Sequence, residues 1–269
     1  MKVRVIVYCA IGGLPLLLGA LGVGHWASCW LSGIFLALAF VPVALFGPRS
    51  GEGQFGVIAP VLLIITVLCT WSEALIFVPT SYPLQALIGS FVMYLIVAGV
   101  LALLAMLLKL NRESASAGNH RSLADAALMV ALCGIAYVLY YLVFGAITYN
   151  FFTKGYYPEA TQQVAKLGLW FWGIQFGRGV LMTLAVIPII YTLRIRRWQA
   201  ALVVGAVIWI AGGLAPLIIP NPFMGLTQRV IHVVEIFTQN FSLGVTATLL
   251  LRRSESQKRV PSDAAVARV

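Results

Sequence analysis

The chain has 269 residues, of which 61% are hydrophobic and only 10% charged, with a formal net charge of +10. Soluble domains carry about 45–50% apolar and about 25% charged residues, so this composition excludes one and points to a polytopic membrane protein. Nucleic acid is excluded as a partner, because the basic residues are spread over short loops and tails rather than gathered on a folded basic surface.

In chain order, a short basic start (Met1–Arg4) precedes a first apolar run at 5–23. Another span follows almost at once, so this run reads as an uncleaved first helix rather than a signal peptide. Gly24 and His25 predict a tight turn, and 26–46 a second span anchored at the interface by Trp26 and Trp30. Residues 47–54 (GPRSGEGQ) read as a loop, 55–79 as the third span, 80–83 as a turn and 84–108 as the fourth span. The polar segment 111–125 (NRESASAGNHRSLAD) is a linker that divides the chain into halves of four spans each.

The fifth span is expected at 126–150, with Tyr137, Tyr140, Tyr141, Phe144 and Thr148 sharing one face. An aromatic stripe at this spacing reads first as packing. A connection at 151–166 lies at the membrane interface. The sixth span (167–193) carries Gln175 and Arg178, with Gly173, Gly177 and Gly179 leaving room for a neighbouring helix or for water. The seventh (200–219) contains Gly212 and Gly213, which permit close helix approach. The eighth spans 229–251, and the basic segment 252–269 reads as a disordered cytoplasmic tail. Residues 1–251 are thus an all-α transmembrane helical bundle of eight spans. No repeat relates the halves at this level, since Glu73 in the third span has no counterpart in the seventh. Cys9, Cys29, Cys69 and Cys133 fall in apolar runs without ligand spacing and read as small buried hydrophobes.

The loops set the orientation. Lys2, Arg4, Arg49, Lys109, Arg112, Arg121, Arg194, Arg196, Arg197, Arg252 and Arg253 fall on one side, against Lys154, Lys166 and Arg229 on the other. This bias places both termini in the cytoplasm, in a plasma (inner) membrane of the bacterial type.

Charge inside the membrane marks the candidate site. In the eighth span Arg229, His232, Glu235, Gln239, Asn240, Ser242 and Thr246 share an arc of roughly 160°. Glu73 lies about 9 Å below the outer boundary, Glu235 about 10 Å and Arg178 about 16 Å. All are in the outer half, where unpaired charge is costly, so Arg178 is expected to pair with Glu235 or Glu73. The candidate substrate-binding residues are Glu73, Arg178, His232, Glu235, Arg229, Gln175, Asn240 and Asn150. His232 and Glu235, one turn apart, suit a base and its orienting partner; without further ligands they predict no metal and no cofactor. Three functions fit: a transporter-like protein for a small polar or anionic solute or lipid, an enzyme acting on a lipid or lipid-linked substrate at the outer leaflet, and a structural or sensor protein whose charges are internal pairs. The partners implied are membrane lipid and a small anionic or lipid substrate.

Overall fold

Eight helices are long and apolar enough to cross a bilayer: Lys2–Leu21, Trp26–Phe46, Gly51–Phe77, Leu84–Leu107, Leu123–Thr153, Leu169–Thr192, Arg197–Ile218 and Leu226–Leu251, spans 1 to 8 in chain order. The computed structural model describes residues 1–77, 84–111, 121–156, 160–221 and 224–253. The turn expected at 80–83, most of the linker with His120, residues 157–159 and the tail beyond Arg253 lie outside them. A short amphipathic helix, Ala160–Leu167, precedes span 6. The chain is an all-α bundle and an integral, multi-pass membrane protein.

Several helices start earlier than the apolar runs, because polar residues cap them. Ser50 is extended and its Oγ accepts the Gly53 N–H at 3.1 Å, so span 3 begins at Gly51, within the segment expected to be loop. Gln54 is helical and buried, donating to the carbonyls of Val43 (3.1 Å) and Pro48 (2.7 Å). Ser122 caps span 5 in the same way, accepting from Asp125 N at 3.1 Å. Gly24 ends span 1 in the left-handed conformation (φ 71°), which its missing Cβ permits. All four cysteines are free, three of them buried.

One end of the bundle gathers the basic residues, and they are bound to backbone. The C-termini of the even-numbered spans leave unpaired carbonyls and a partial negative charge. Arg4 donates to Leu108 O at the end of span 4 (3.3 Å), and Arg121 to Leu251 O at the end of span 8 (3.2 Å). Arg194 donates to Gly47 O after span 2 (2.7 Å), and Arg252 to Leu193 O (3.1 Å) and Ile195 O (2.6 Å) after span 6. Arg252 was expected to open a disordered tail; it is buried instead, as the cap of span 6.

Packing reveals a repeat that the sequence conceals. Span 1 packs on spans 2 and 4, span 2 also on 3 and 4, and span 3 on 4. Span 5 likewise packs on 6 and 8, span 6 also on 7 and 8, and span 7 on 8. The chain therefore folds as two four-span units with one arrangement. Glycine contacts hold the first crossing in each: a Cβ on Gly33 would lie 2.5 Å from Gly13 O, and one on Gly179 would lie 3.1 Å from Gly134 Cα. Spans 2 and 6 even align in sequence, GIFLALAFVP from Gly33 to Pro42 against GVLMTLAVIP from Gly179 to Pro188. The capping repeats too, since Arg4, in the first turn of span 1, and Arg121, just before span 5, each cap the fourth span of their unit. Between units, span 2 meets span 7, span 6 meets span 3, and spans 3 and 7 meet each other. With lipid as apolar as the core, small residues and close packing hold such contacts rather than hydrophobic burial.

Candidate functional site

Glu73 sits on span 3 beyond a π-helical segment, Val61–Cys69. Each wide turn holds more than the usual 3.6 residues, so side chains beyond it point elsewhere than an α-helical wheel predicts. Glu73 is thereby aimed across the unit boundary at span 6. Its Oε2 lies 2.9 Å from Arg178 Nη2, forming an ion pair. Arg178 Nη1 donates to Gln175 Oε1 at 2.8 Å, and the guanidinium carbon stands 5.8 Å from the centre of the Tyr137 ring, a cation–π contact. Tyr141 donates to Glu73 Oε1 at 3.4 Å. Its ring is fixed by an edge contact with Phe171, centroids 5.7 Å apart.

A second cluster lies on span 8. His232 Nδ1 is 2.8 Å from Glu235 Oε2, and Gln239 Nε2 donates to Glu235 Oε1 at 3.2 Å. Gln239 opens inward from a π-helical turn, Phe237–Phe241, which buries both it and Asn240. Gly145 of span 5 faces this cluster, a Cβ on it lying at contact distance, 3.6 Å from Glu235 Oε1 and 3.8 Å from Tyr141 Cδ1. Tyr141 stands between the clusters, within electrostatic range of Glu73, Arg178 and Glu235, and His232 is within range of Glu73.

Burial divides these groups. Gln175 is fully buried and Arg178 nearly so, whereas the Glu73 side chain is 34% exposed. Among the described residues, the buried donors without a hydrogen-bond partner include Gln175 Nε2, Arg178 Nε and Trp71 Nε1. Arginine keeps its charge at any accessible pH. The arrangement can thus offer a permanent cation and nearby amide donors to an acceptor-rich anion at Arg178. Among the described residues, no group of three or more His, Cys, Asp or Glu is placed to hold a metal ion.

Of the eight residues singled out in the sequence, five fall in these clusters: Glu73, Arg178, Gln175, His232 and Glu235. Arg229 does not. Its Nη1 donates to Leu217 O and Ile218 O, both at 3.1 Å, and so caps the end of span 7. Asn150 is exposed and donates to Ala146 O of its own helix (2.9 Å). Asn240 is buried but turned to span 7, its Nδ2 3.5 Å from Ile208 O. Tyr137, Tyr141 and Gln239 were not among the site candidates; the aromatic stripe on span 5 was the signal, and its polar hydroxyl at Tyr141 the part that mattered. Gly173 and Gly177 face open space, and only Gly179 receives a neighbouring helix. No protein-family model matches the chain, and no curated protein or solved structure is significantly similar to it.

Proposed function

We propose that this protein is a transporter-like membrane protein that binds and moves a small anion, or the anionic headgroup of a lipid, at Arg178 in the outer half of a plasma membrane. The observation that carries this reading is the unfilled donor capacity around a buried cation: Arg178 Nε and Gln175 Nε2 have no partner. Buried donors are normally satisfied, and an anion accepts from such a set. The polar stripe continues inward past Glu235 through Gln239 and Thr246, the latter bonded to Tyr140 at 2.8 Å, which supports passage rather than a closed pocket. The test is thermal unfolding of the purified protein with chloride, acetate, phosphate and a phosphatidic-acid analogue, followed by uptake of the stabilising ion into proteoliposomes. Stabilisation that Arg178→Gln abolishes supports the reading; no shift with any of them and no uptake would end it.

A second reading, a membrane enzyme acting on a lipid or lipid-linked substrate, has one observation in its favour. His232 and Glu235 have the separation of a general base and the carboxylate that orients it. Turnover of a lipid-linked substrate that is lost in His232→Gln, with the fold intact, would favour it over transport.

A further inference from the structure

We infer that the Glu73–Arg178 ion pair is a latch between the two four-span units, opened when an anion takes the place of Glu73 at Arg178. The inference rests on the anion-binding reading above and adds how binding is coupled to movement.

The units each pack their own four spans together. Their internal crossings run through glycines whose Cα atoms touch the facing backbone, at Gly13 with Gly33 and at Gly134 with Gly179. The boundary between them brings two irregular helices together. Its central helices, spans 3 and 7, both widen into π-helical segments, Val61–Cys69 and Ile210–Leu214. These segments meet there, with the Gly212 Cα facing Ile65. π-Helical turns are weakly bonded irregularities and recur where helices must adjust.

The boundary is fastened at three places. At the basic end Arg194 N donates to Phe46 O (2.9 Å) and Arg194 Nη2 to Gly47 O (2.7 Å). Toward the other end, Ser32 Oγ of span 2 donates to Ala215 O of span 7 at 2.8 Å. Arg178 occupies the place in the second unit that Ser32 occupies in the first, immediately before the aligned glycine, and it too reaches the third helix of the other unit. One half of the repeat thus fastens with a neutral hydroxyl to backbone, which nothing small displaces. The other half fastens with an ion pair, and an anion competes for its cation.

The acidic partner is the exposed member of the pair: Glu73 is 34% accessible against 9% for Arg178. An anion arriving from that side meets Glu73 first and can displace it without uncovering Arg178. It then gains the donors that Glu73 leaves unused, Arg178 Nε and Gln175 Nε2. Every bond given to Glu73 comes from the second unit, from Arg178 and Tyr141. Releasing Glu73 therefore frees the end of span 3 as a whole. A ligand shifts such an equilibrium only through its preference for one state. Here the preference is built in, because Arg178 Nη2 is given to Glu73 in the closed latch and reaches an anion only when the latch is open.

The experiment is a distance measurement by paired spin labels on the full chain in nanodiscs, with the four native cysteines replaced. One pair, Trp26→Cys with Leu169→Cys, spans the units at the starts of spans 2 and 6. A second, Leu169→Cys with Val230→Cys, lies within the second unit. All three positions are exposed. Glu73→Gln, and separately acetate or phosphate added to the unsubstituted latch, should move the between-unit distance outside its resting distribution and leave the within-unit distance unchanged. An unchanged between-unit distance in both cases overturns the latch, even if the anions stabilise the protein. Movement with Glu73→Gln but with neither anion keeps the latch and overturns the anion as its key. Movement of both distances together overturns the division into two units.

Discussion

Glu73 and Arg178 stand 105 residues apart in the chain, on different four-span units, and their side chains meet at 2.9 Å. The two ends of this pair are not equivalent. Arg178 is buried and keeps its charge, whereas the Glu73 side chain is about one-third exposed. Removing one member of a buried pair costs about 3–5 kcal/mol through the charge left behind. Glu73→Ala, which strands the arginine, is therefore expected near that range. Arg178→Ala should cost clearly less, since the carboxylate it strands is partly exposed rather than buried. The double replacement should recover much of the Glu73→Ala loss. Thermal unfolding in detergent reads all three, and equal losses from the two single variants would contradict this ordering.

Glycine substitutions should separate packed from open positions along span 6. A Cβ on Gly179 would stand 2.6 Å from Tyr137 Cβ and 3.1 Å from Gly134 Cα, so Gly179→Ala is expected to destabilise by about 1–3 kcal/mol. Gly173 and Gly177 have nothing within 4 Å of that position. Alanine there should be neutral, or stabilising by up to ~1 kcal/mol through helix propensity. A Gly179→Ala protein melting with the wild type would show that spans 5 and 6 do not cross this closely.

The arginines at the basic end should differ by what they bind. Arg194→Ala and Arg252→Ala each strip a charged donor from helix-end carbonyls and are expected to cost about 1.5–3 kcal/mol. Arg253 pairs with Asp125 at 3.5 Å with both side chains nearly half exposed, so Arg253→Ala should stay within about 1 kcal/mol of wild type. Chemical unfolding of the three variants checks the contrast, and a uniform effect would argue against capping.

The loop charges make the orientation testable in cells. A cysteine at Tyr156 should react with an impermeant thiol reagent added outside, and one at Ser116 only after permeabilisation. The opposite pattern would invert the whole arrangement and move the Glu73–Arg178 pair to the cytoplasmic half.

Span count was readable because hydrophobic length is a local property. Lateral placement was not. The notion that Arg178 pairs with Glu235 or Glu73 rested on depth alone, and the π-helical segment before Glu73 decides between them by turning the carboxylate away from its α-helical bearing. Arg229 illustrates the opposite failure: its position in a polar stripe suggested a ligand, yet the carbonyls it caps belong to span 7. The repeat is hidden for a related reason. Glu73 has no charged equivalent in the seventh span, and the duplicated features are glycines, prolines and caps, whose roles appear only when helices meet.

The arginine caps alter how the protein presents itself to the bilayer. During insertion, Arg4, Arg121, Arg194 and Arg252 sit on an unfolded chain and act as an address, holding their loops on one side. In the folded protein each rests on a helix terminus carrying about half a negative charge. Four such termini offset about two positive charges in total. The finished protein therefore attracts acidic lipid headgroups less strongly than its count of basic residues implies. A substitution meant only to rewrite the address also loosens the end of a span, so altered insertion and weakened folding will arrive together in the same mutant.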